Sequence, residues 1–368
     1  MKIIIVQDYL RNGGTERQSV LLANAFAAAG HESNLLTFRP DGVLERNVNR
    51  NVRRVVLQQN DGQLDWFAPG LVGAVGKMKP DVILCMGRMA NCYAGHLQRR
   101  FANTIVIVTM RTGKRLPWLF RRSLQRVRHV IANSHDAAAV LRNSYAVPSA
   151  KLSVIYNSLV FPAEQELARN DALRVAHAAA PSTTVLLCVA MFRPEKNQRE
   201  LIEIAASFPP DLDWQLWLAG DGPARADCEA LVETKGLRKR VIFPGFLPNP
   251  STLYSAADIA VHASASESLS NFLIEAQSHG LPAVAYAAQG IAETFVPDRT
   301  GWEIPLGDRL AFCAQVIRLA REAPATRAVR KKEAQTFARQ TFDTKEQVRR
   351  YLELFAQLRQ HSHSNQQG

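Results

Sequence analysis

Lys2-Ile3-Ile4-Ile5-Val6-Gln7, a continuous apolar run, leads through Gly13-Gly14 into Thr15-Glu16-Arg17-Gln18 and a segment with helical apolar spacing that stops at Gly30. A run without polar alternation predicts a strand buried on both faces, as in a parallel sheet. The segment 15–29 reads as a helix, with Thr15 and Gln18 at capping-box spacing and Gly30 as its stop. Runs of the same kind recur at 33–38, 53–57, 81–86, 104–110, 129–133 and 151–156. Strands alternating with helices in this way predict a doubly wound α/β domain.

A polar, Ala-rich stretch at 161–182, bounded by Pro162 and Pro181, reads as an interdomain connection with a short helix. A second series of strands follows at 185–190, 215–219, 241–243, 258–263 and 283–286. At 368 residues the chain suits two domains, each able to bury its own core. Two facing sheets of this type are expected to bind a ligand at the carboxyl ends of their strands. The expected boundaries are 1–165, 166–335, and 336–368 for a last helix and a polar tail, disordered from His361 onward.

Charge is unevenly placed. Lys and Arg outnumber Asp and Glu 22 to 9 through residue 160, and stand at 23 to 24 beyond it. The densest basic segment holds Arg111, Lys114, Arg115, Arg121, Arg122, Arg126 and Arg128, with Leu116, Phe120, Leu124 and Val127 on one helical stripe. Two readings fit it: a basic amphipathic helix on an anionic membrane face, or a surface helix packing its stripe on its own domain. Nucleic acid is a poorer fit, because no helix-turn-helix, zinc or aromatic-sheet signature accompanies the charge. No stretch approaches the ~20 apolar residues of a membrane span, and Met1-Lys2-Ile3 runs straight into a strand, so a cytoplasmic chain is expected. Cys85, Cys92, Cys188, Cys228 and Cys313 lack paired metal spacing and read as reduced core thiols.

Glu267-Ser268-Leu269-Ser270-Asn271-Phe272-Leu273-Ile274-Glu275-Ala276, closed by Gly280-Leu281-Pro282, sets two glutamates across the start of a helix beginning near Asn271, a good capping residue. Alone, such a pair is ordinary for a solvated helix face. Beside free backbone N–H groups, the same pair suits a nucleotide sugar, whose diphosphate takes the helix start and whose hydroxyls donate to the carboxylates. Gly13-Gly14 reads as a tight turn or as a loop that lets backbone approach a phosphate. The full Gly-x-Gly-x-x-Gly pattern is absent, which disfavours NAD chemistry. Departure of a nucleoside diphosphate calls for fixed cations, and Lys196 and Arg193 are the candidates. Asp211-Leu212-Asp213 follows two prolines with no strand before it, so no metal is expected. His262 and His279 read as structural histidines.

Phe243-Pro244-Gly245, Ala257-Asp258-Ile259, the Glu267 to Glu275 motif, Gly290-Ile291-Ala292-Glu293 and Gly301 follow in order, with Leu218-Ala219-Gly220-Asp221-Gly222-Pro223, Arg193-Pro194-Glu195-Lys196-Asn197, Val154-Ile155-Tyr156-Asn157 and Gly13-Gly14-Thr15-Glu16-Arg17 upstream. On these pieces the chain resembles the retaining nucleotide-sugar glycosyltransferases of family four, also called group 1, over nearly its whole length. The resemblance implies a GT-B fold: two Rossmann-like domains facing a central cleft, with the last helix crossing back to the first. It implies Glu275 on the donor ribose, Glu267 facing the sugar hydroxyls, and Gly13, Gly14, Phe246, Ser270, Asn271 and Phe272 in the donor site. Arg111 stands where several relatives place a His beside the transferred sugar, and is assigned to phosphate or an acidic acceptor, or else to the basic helix.

This chain departs from the family at Met191, where Arg is usual, and at Ser268, where Gly is usual. The family has no agreed protein nucleophile. The expected activity is transfer of a sugar from a nucleotide donor to a lipid-linked or envelope glycan acceptor, of lipopolysaccharide, capsule or exopolysaccharide type. The alternatives are a GT-B epimerase, a transferase with a soluble acceptor, and a non-catalytic nucleotide-sugar-binding protein.

Overall fold

The computed structural model describes residues 1–247 and 249–364, and the side chains through 360 apart from that of 248. It forms two compact units: residues 1–158 together with the last helix, Thr344–Ser364, and Leu159–Asp343. Each unit is built on one parallel sheet, because its strands are apolar on both faces and need helices over both.

The first sheet holds β1 (Lys2–Gln7), β2 (Glu32–Thr37), β3 (Arg53–Val56), β4 (Val82–Cys85), β5 (Ile105–Met110), β6 (His129–Ala132) and β7 (Leu152–Val154), in the order β3-β2-β1-β4-β5-β6-β7. The second holds β8 (Thr184–Val189), β9 (Trp214–Ala219), β10 (Val241–Gly245), β11 (Ile259–His262), β12 (Ala283–Tyr286) and β13 (Gly301–Ile304), in the order β10-β9-β8-β11-β12-β13. Strand order reverses beside β1 and beside β8, and such switch points open a crevice at the carboxyl ends of their strands.

The first helix spans Gly14–Ala28, with Gly13 at its cap position and no side-chain cap. The Thr15–Gln18 capping box does not form. Gln18 is buried instead, donating to the Ser158 carbonyl (2.7 Å) and accepting from the Ser158 N–H (2.8 Å), which fixes the end of the first unit. The last helix packs Val348, Tyr351, Leu354 and Phe355 into the same core as Phe26. It runs through Ser364, so disorder from His361 does not hold for 361–364, and residues 365–368 lie outside the described residues.

Residues 161–182, read as an interdomain connection with a short helix, have the helix but are part of the second unit. That helix is Asp171–Ala176, whose Arg174 is 1% exposed. Its guanidinium donates to Asp258 Oδ2 (3.0 Å) and to the carbonyls of Ala256 (2.8 Å), Ala180 (3.1 Å) and Thr183. Asp258 Oδ2 also accepts the Val185 N–H (2.8 Å), so this buried charge joins the starts of β8 and β11.

Of the two readings of the basic segment, the structure bears out the packed one for its apolar stripe. Leu116, Phe120, Leu124 and Val127 are buried in the core of the first unit, around the helix Trp118–Arg126. Trp118 (60% exposed) and Leu119 (51%) point the other way, among exposed Lys114, Arg115, Arg121 and Arg122, and the Arg122 guanidinium lies 5.3 Å from the Trp118 ring centroid. The five cysteines are free thiols, three of them buried. No helix among the described residues is long and apolar enough to cross a membrane.

Candidate active site

The loop after β8 is shaped by two glycines. Gly220 (φ +134°) and Gly222 (φ +149°) sit so close to it that a Cβ would stand 2.1 Å from the Ala190 carbonyl oxygen and 2.4 Å from that of Phe192. Residues with side chains rarely adopt this backbone, so the Gly220-Asp221-Gly222 motif is a packing requirement on the site loop. The loop then makes a short turn, Pro194–Lys196, and enters the helix Gln198–Ala205. The segment after β11 is tied to it: Glu195 O accepts the Ala265 N–H (3.0 Å) and the Ser264 hydroxyl (3.1 Å).

This brings Lys196 and Glu267, 71 residues apart, into contact across the switch point of the second sheet. Lys196 Nζ donates to Glu267 Oε1, and His262 Nε2, from the last residue of β11, donates to the same oxygen at 2.7 Å. Burial alone would raise the Glu267 carboxyl, but the His262 hydrogen bond and the Lys196 charge outweigh it and hold it at about 2. Glu267 is therefore an anion throughout the physiological range, a fixed acceptor and counter-charge rather than a proton donor. His262 Nδ1 is buried without a hydrogen-bond partner.

The helix spans Asn271–Ser278, and its cap is Ser270 rather than Asn271, with Ser270 Oγ accepting the Leu273 N–H (3.4 Å). The first turn leaves backbone N–H groups without intrahelical acceptors, beside the Glu267 loop. Glu275 lies one turn further on, and Tyr254 donates its hydroxyl to Glu275 Oε2 at 2.5 Å. Ser268 is buried and its Oγ accepts from Gln289 (3.3 Å), so the side chain that replaces the family's usual Gly has a partner. Phe246, after β10, is 46% exposed. Arg193 is exposed, and its backbone, not its side chain, takes part in the loop through the Met191 and Lys196 bonds.

Gly13, Gly14 and Arg111 belong to the first unit. A Cβ on Gly13 would stand 2.3 Å from a Glu16 carboxylate oxygen, the movable end of a flexible side chain, and the Gly13 backbone is extended (φ −87°), so packing alone does not demand glycine there. Arg111 lies outside the basic helix: Nη1 donates to Asn157 Oδ1 and Nη2 to the Tyr351 hydroxyl (2.6 Å), linking β5 to the last helix. At this sheet's switch point Asp8, immediately after β1, accepts the N–H groups of Met89 (3.0 Å) and Ala90 (2.6 Å) at the start of the helix Arg88–Arg100. Burial pushes its carboxyl up to about 7, against those two hydrogen bonds.

Asp8 and Tyr254 escaped the sequence reading, and His262, read as a structural histidine, is a participant. His262 carried a signal, since it ends a strand five residues before Glu267. Asp8 follows β1 in the same way. Tyr254 sits in a six-residue helix, Ser251–Ala256, with nothing local to connect it to Glu275.

Two family models match the chain: Glycosyl transferases group 1 over residues 170–337 and Glycosyltransferase Family 4 over residues 12–159. Among curated proteins the chain is 27% identical over 177 residues to the N-acetyl-alpha-D-glucosaminyl L-malate synthase of Bacillus anthracis, covering 48% of this chain and 46% of that protein. It is 34% identical over 140 residues to the lipopolysaccharide core biosynthesis glycosyltransferase LpsD of Rhizobium meliloti, covering 38% and 40%. The chain thus spans less than half the length of these relatives. Anabaena HepE, solved in complex with UDP-glucose, superposes with a TM-score of 0.79 at 23% identity over 97% of this chain and 100% of that one.

Proposed function

This chain belongs to the group 1 glycosyltransferases and has the GT-B fold, and we propose that it is a retaining, metal-independent enzyme moving a sugar from a nucleoside-diphosphate donor to a lipid-linked or cell-envelope glycan acceptor. The observation that carries this reading is the Lys196 ammonium held by Glu267, whose carboxylate also accepts from His262, at the switch point of the second sheet beside the start of the helix Asn271–Ser278. As the bond between the anomeric carbon and the bridging oxygen breaks, negative charge grows on the departing diphosphate. A cation already fixed in place stabilises that charge without reorganisation. Glu275, oriented by Tyr254, accepts from the donor ribose. Asp211 and Asp213 lie before β9, at the opposite end of the sheet, where they accept from Arg321 (2.6 Å) and Thr183 (2.8 Å), which supports a diphosphate held by cations rather than by a carboxylate-bound metal. HepE's complex with UDP-glucose supports a nucleotide-sugar donor, and the name of the LpsD relative supports an envelope acceptor.

Glu275→Gln is expected to weaken UDP-glucose binding about 5- to 10-fold, because a charge-assisted hydrogen bond worth ~1.5–3 kcal/mol becomes a neutral one worth ~0.5–1.5 kcal/mol. Calorimetric titration in excess EDTA measures this and the metal question together. Equal affinity of variant and wild type would remove the ribose assignment, and loss of wild-type binding restored by Mg²⁺ would overturn the metal-independent reading.

The exposed Trp118, Leu119 and surrounding arginines support peripheral association with the inner face of the cytoplasmic membrane. Vesicles containing anionic lipid are expected to bind the protein, less at high salt, since exposed charges are screened beyond about 8–10 Å. Arg121→Gln, Arg122→Gln and Arg126→Gln together are expected to reduce that binding. Equal partitioning of wild type and triple variant at low salt would leave the segment an ordinary packed helix.

A further inference from the structure

At the opposite end of the second sheet from Lys196, a cavity of about 190 Å³ opens between the amino ends of β8, β11 and β12, bordered by Thr184, Asp258 and Pro282. One water takes ~30 Å³ of liquid, so the space suits a small multi-atom ligand. Its walls carry the cations Arg169, Arg327, Arg330 and Lys331 against the acids Asp258 and Glu322. Both acids are already matched: Asp258 by the buried Arg174, and Glu322 by Arg330. Arg327 donates to the carbonyls of Glu322 (3.0 Å) and Ala320, and Lys331 to that of Leu167 (3.4 Å), contacts that hold the side chains without cancelling their charge. Arg169 reaches an exposed Asp171 (3.0 Å). The cavity therefore has an excess of positive charge converging from residues 167–171 and from the helix Pro324–Phe342.

The same cavity is bordered by Tyr254 and His279. Their rings stack at 4.8 Å. His279 Nδ1 donates to the Glu275 carbonyl (2.9 Å), its Nε2 accepts from Ser251 (3.0 Å), and Tyr254 donates to the Glu275 carboxylate. Two side chains thus border the cavity on one side and hold Glu275 on the other.

We propose that this cavity binds a small phosphorylated anion and that its occupancy is transmitted through the Tyr254–His279 stack to Glu275. The binding half is independent of the donor reading, whereas the transmission half rests on Glu275 being a donor residue. A ligand that shifts Tyr254 changes donor affinity, and by reciprocity the donor changes the anion's affinity by the same factor.

The test is calorimetric titration of the full chain with inorganic pyrophosphate, with UDP at saturation, in wild type, Lys196→Ala and Arg327→Gln/Lys331→Gln. One-to-one binding is expected in wild type and Lys196→Ala, weakened at least tenfold in the double variant, whose substituted residues are exposed and whose folding is checked by circular dichroism. Arg169→Gln, on a separate segment of wall, is expected to weaken binding in the same direction. No binding in wild type, or binding that these wall substitutions leave unchanged, overturns the proposal. Binding lost only in Lys196→Ala places pyrophosphate in the donor site and overturns it too. UDP titrated with and without saturating pyrophosphate is expected to show a several-fold difference in Kd that disappears in the double variant, and an identical Kd overturns the transmission. Failure of UDP to bind under any condition counts against the donor reading alone, since the pyrophosphate titrations and their loss in the double variant then stand unaffected by the added UDP.

Discussion

Lys196→Ala is expected to lower turnover about 10²- to 10³-fold, equivalent to ~3–4 kcal/mol of transition-state stabilisation, while changing the affinity for intact UDP-glucose far less. The asymmetry follows from where charge appears. Ground-state donor already carries its phosphate charges, but the bridging oxygen becomes anionic only as the glycosidic bond breaks, and a cation fixed by Glu267 meets that new charge without moving. Removing Lys196 also leaves the Glu267 carboxylate buried with one fewer partner. The carboxyl's depressed folded-state value contributes stability that is present above its unfolded value and is lost as pH falls through about 2. In the variant that value rises, so the contribution shrinks and disappears at a higher pH. Steady-state kinetics against donor concentration, with thermal melts between pH 3 and 7, separate the two effects. Full turnover in the variant would transfer the role to another cation.

Arg174→Ala is expected to be the most damaging single substitution for stability, at ~3–5 kcal/mol, because breaking a buried ion pair leaves its partner uncompensated. Arg174 serves Asp258 and three backbone carbonyls at once, so its loss takes a charged donor from four acceptors at the start of the second sheet. The measurement is the urea midpoint of the transition belonging to the second unit, since a chain of two units need not unfold in one step. A loss below ~1 kcal/mol would show that water fills the site. Asp258→Asn, which keeps the shape and drops the charge, is expected to fall between wild type and Arg174→Ala.

Most of the sheet architecture was legible because parallel strands are apolar on both faces, a signal independent of distant neighbours. Twelve of the strands correspond to runs read from the sequence. The exception is β13, Gly301–Ile304, whose four residues include a charge and give periodicity nothing to count. Local chemistry misled where a competing tertiary bond won: Gln18 joins Ser158 rather than its own helix start, and Arg174 draws residues 161–182 into the second unit instead of leaving them as a connection. The unit boundaries accordingly fall at Ser158 and Asp343, not at 165 and 335. At the site, Glu267, Glu275 and Lys196 were nameable from motif and charge. Tyr254, the partner of Glu275, was not, because a hydrogen bond across the fold has no spacing rule in the chain, and His262, five residues before Glu267, reads from sequence only as a structural histidine.

The return of the last helix to the first unit sets an order on biosynthesis. Leu159–Asp343 is one continuous stretch and can complete its core while the ribosome is still adding residues. The first unit is interrupted by that stretch: Phe26 is packed by Tyr351 and Phe355, and Tyr351 also takes the Arg111 guanidinium. The half that emerges first therefore finishes last. Until the final helix arrives it leaves an apolar groove open, a window in which chaperone engagement, or premature termination shortly before Thr344, decides between a finished molecule and an aggregate.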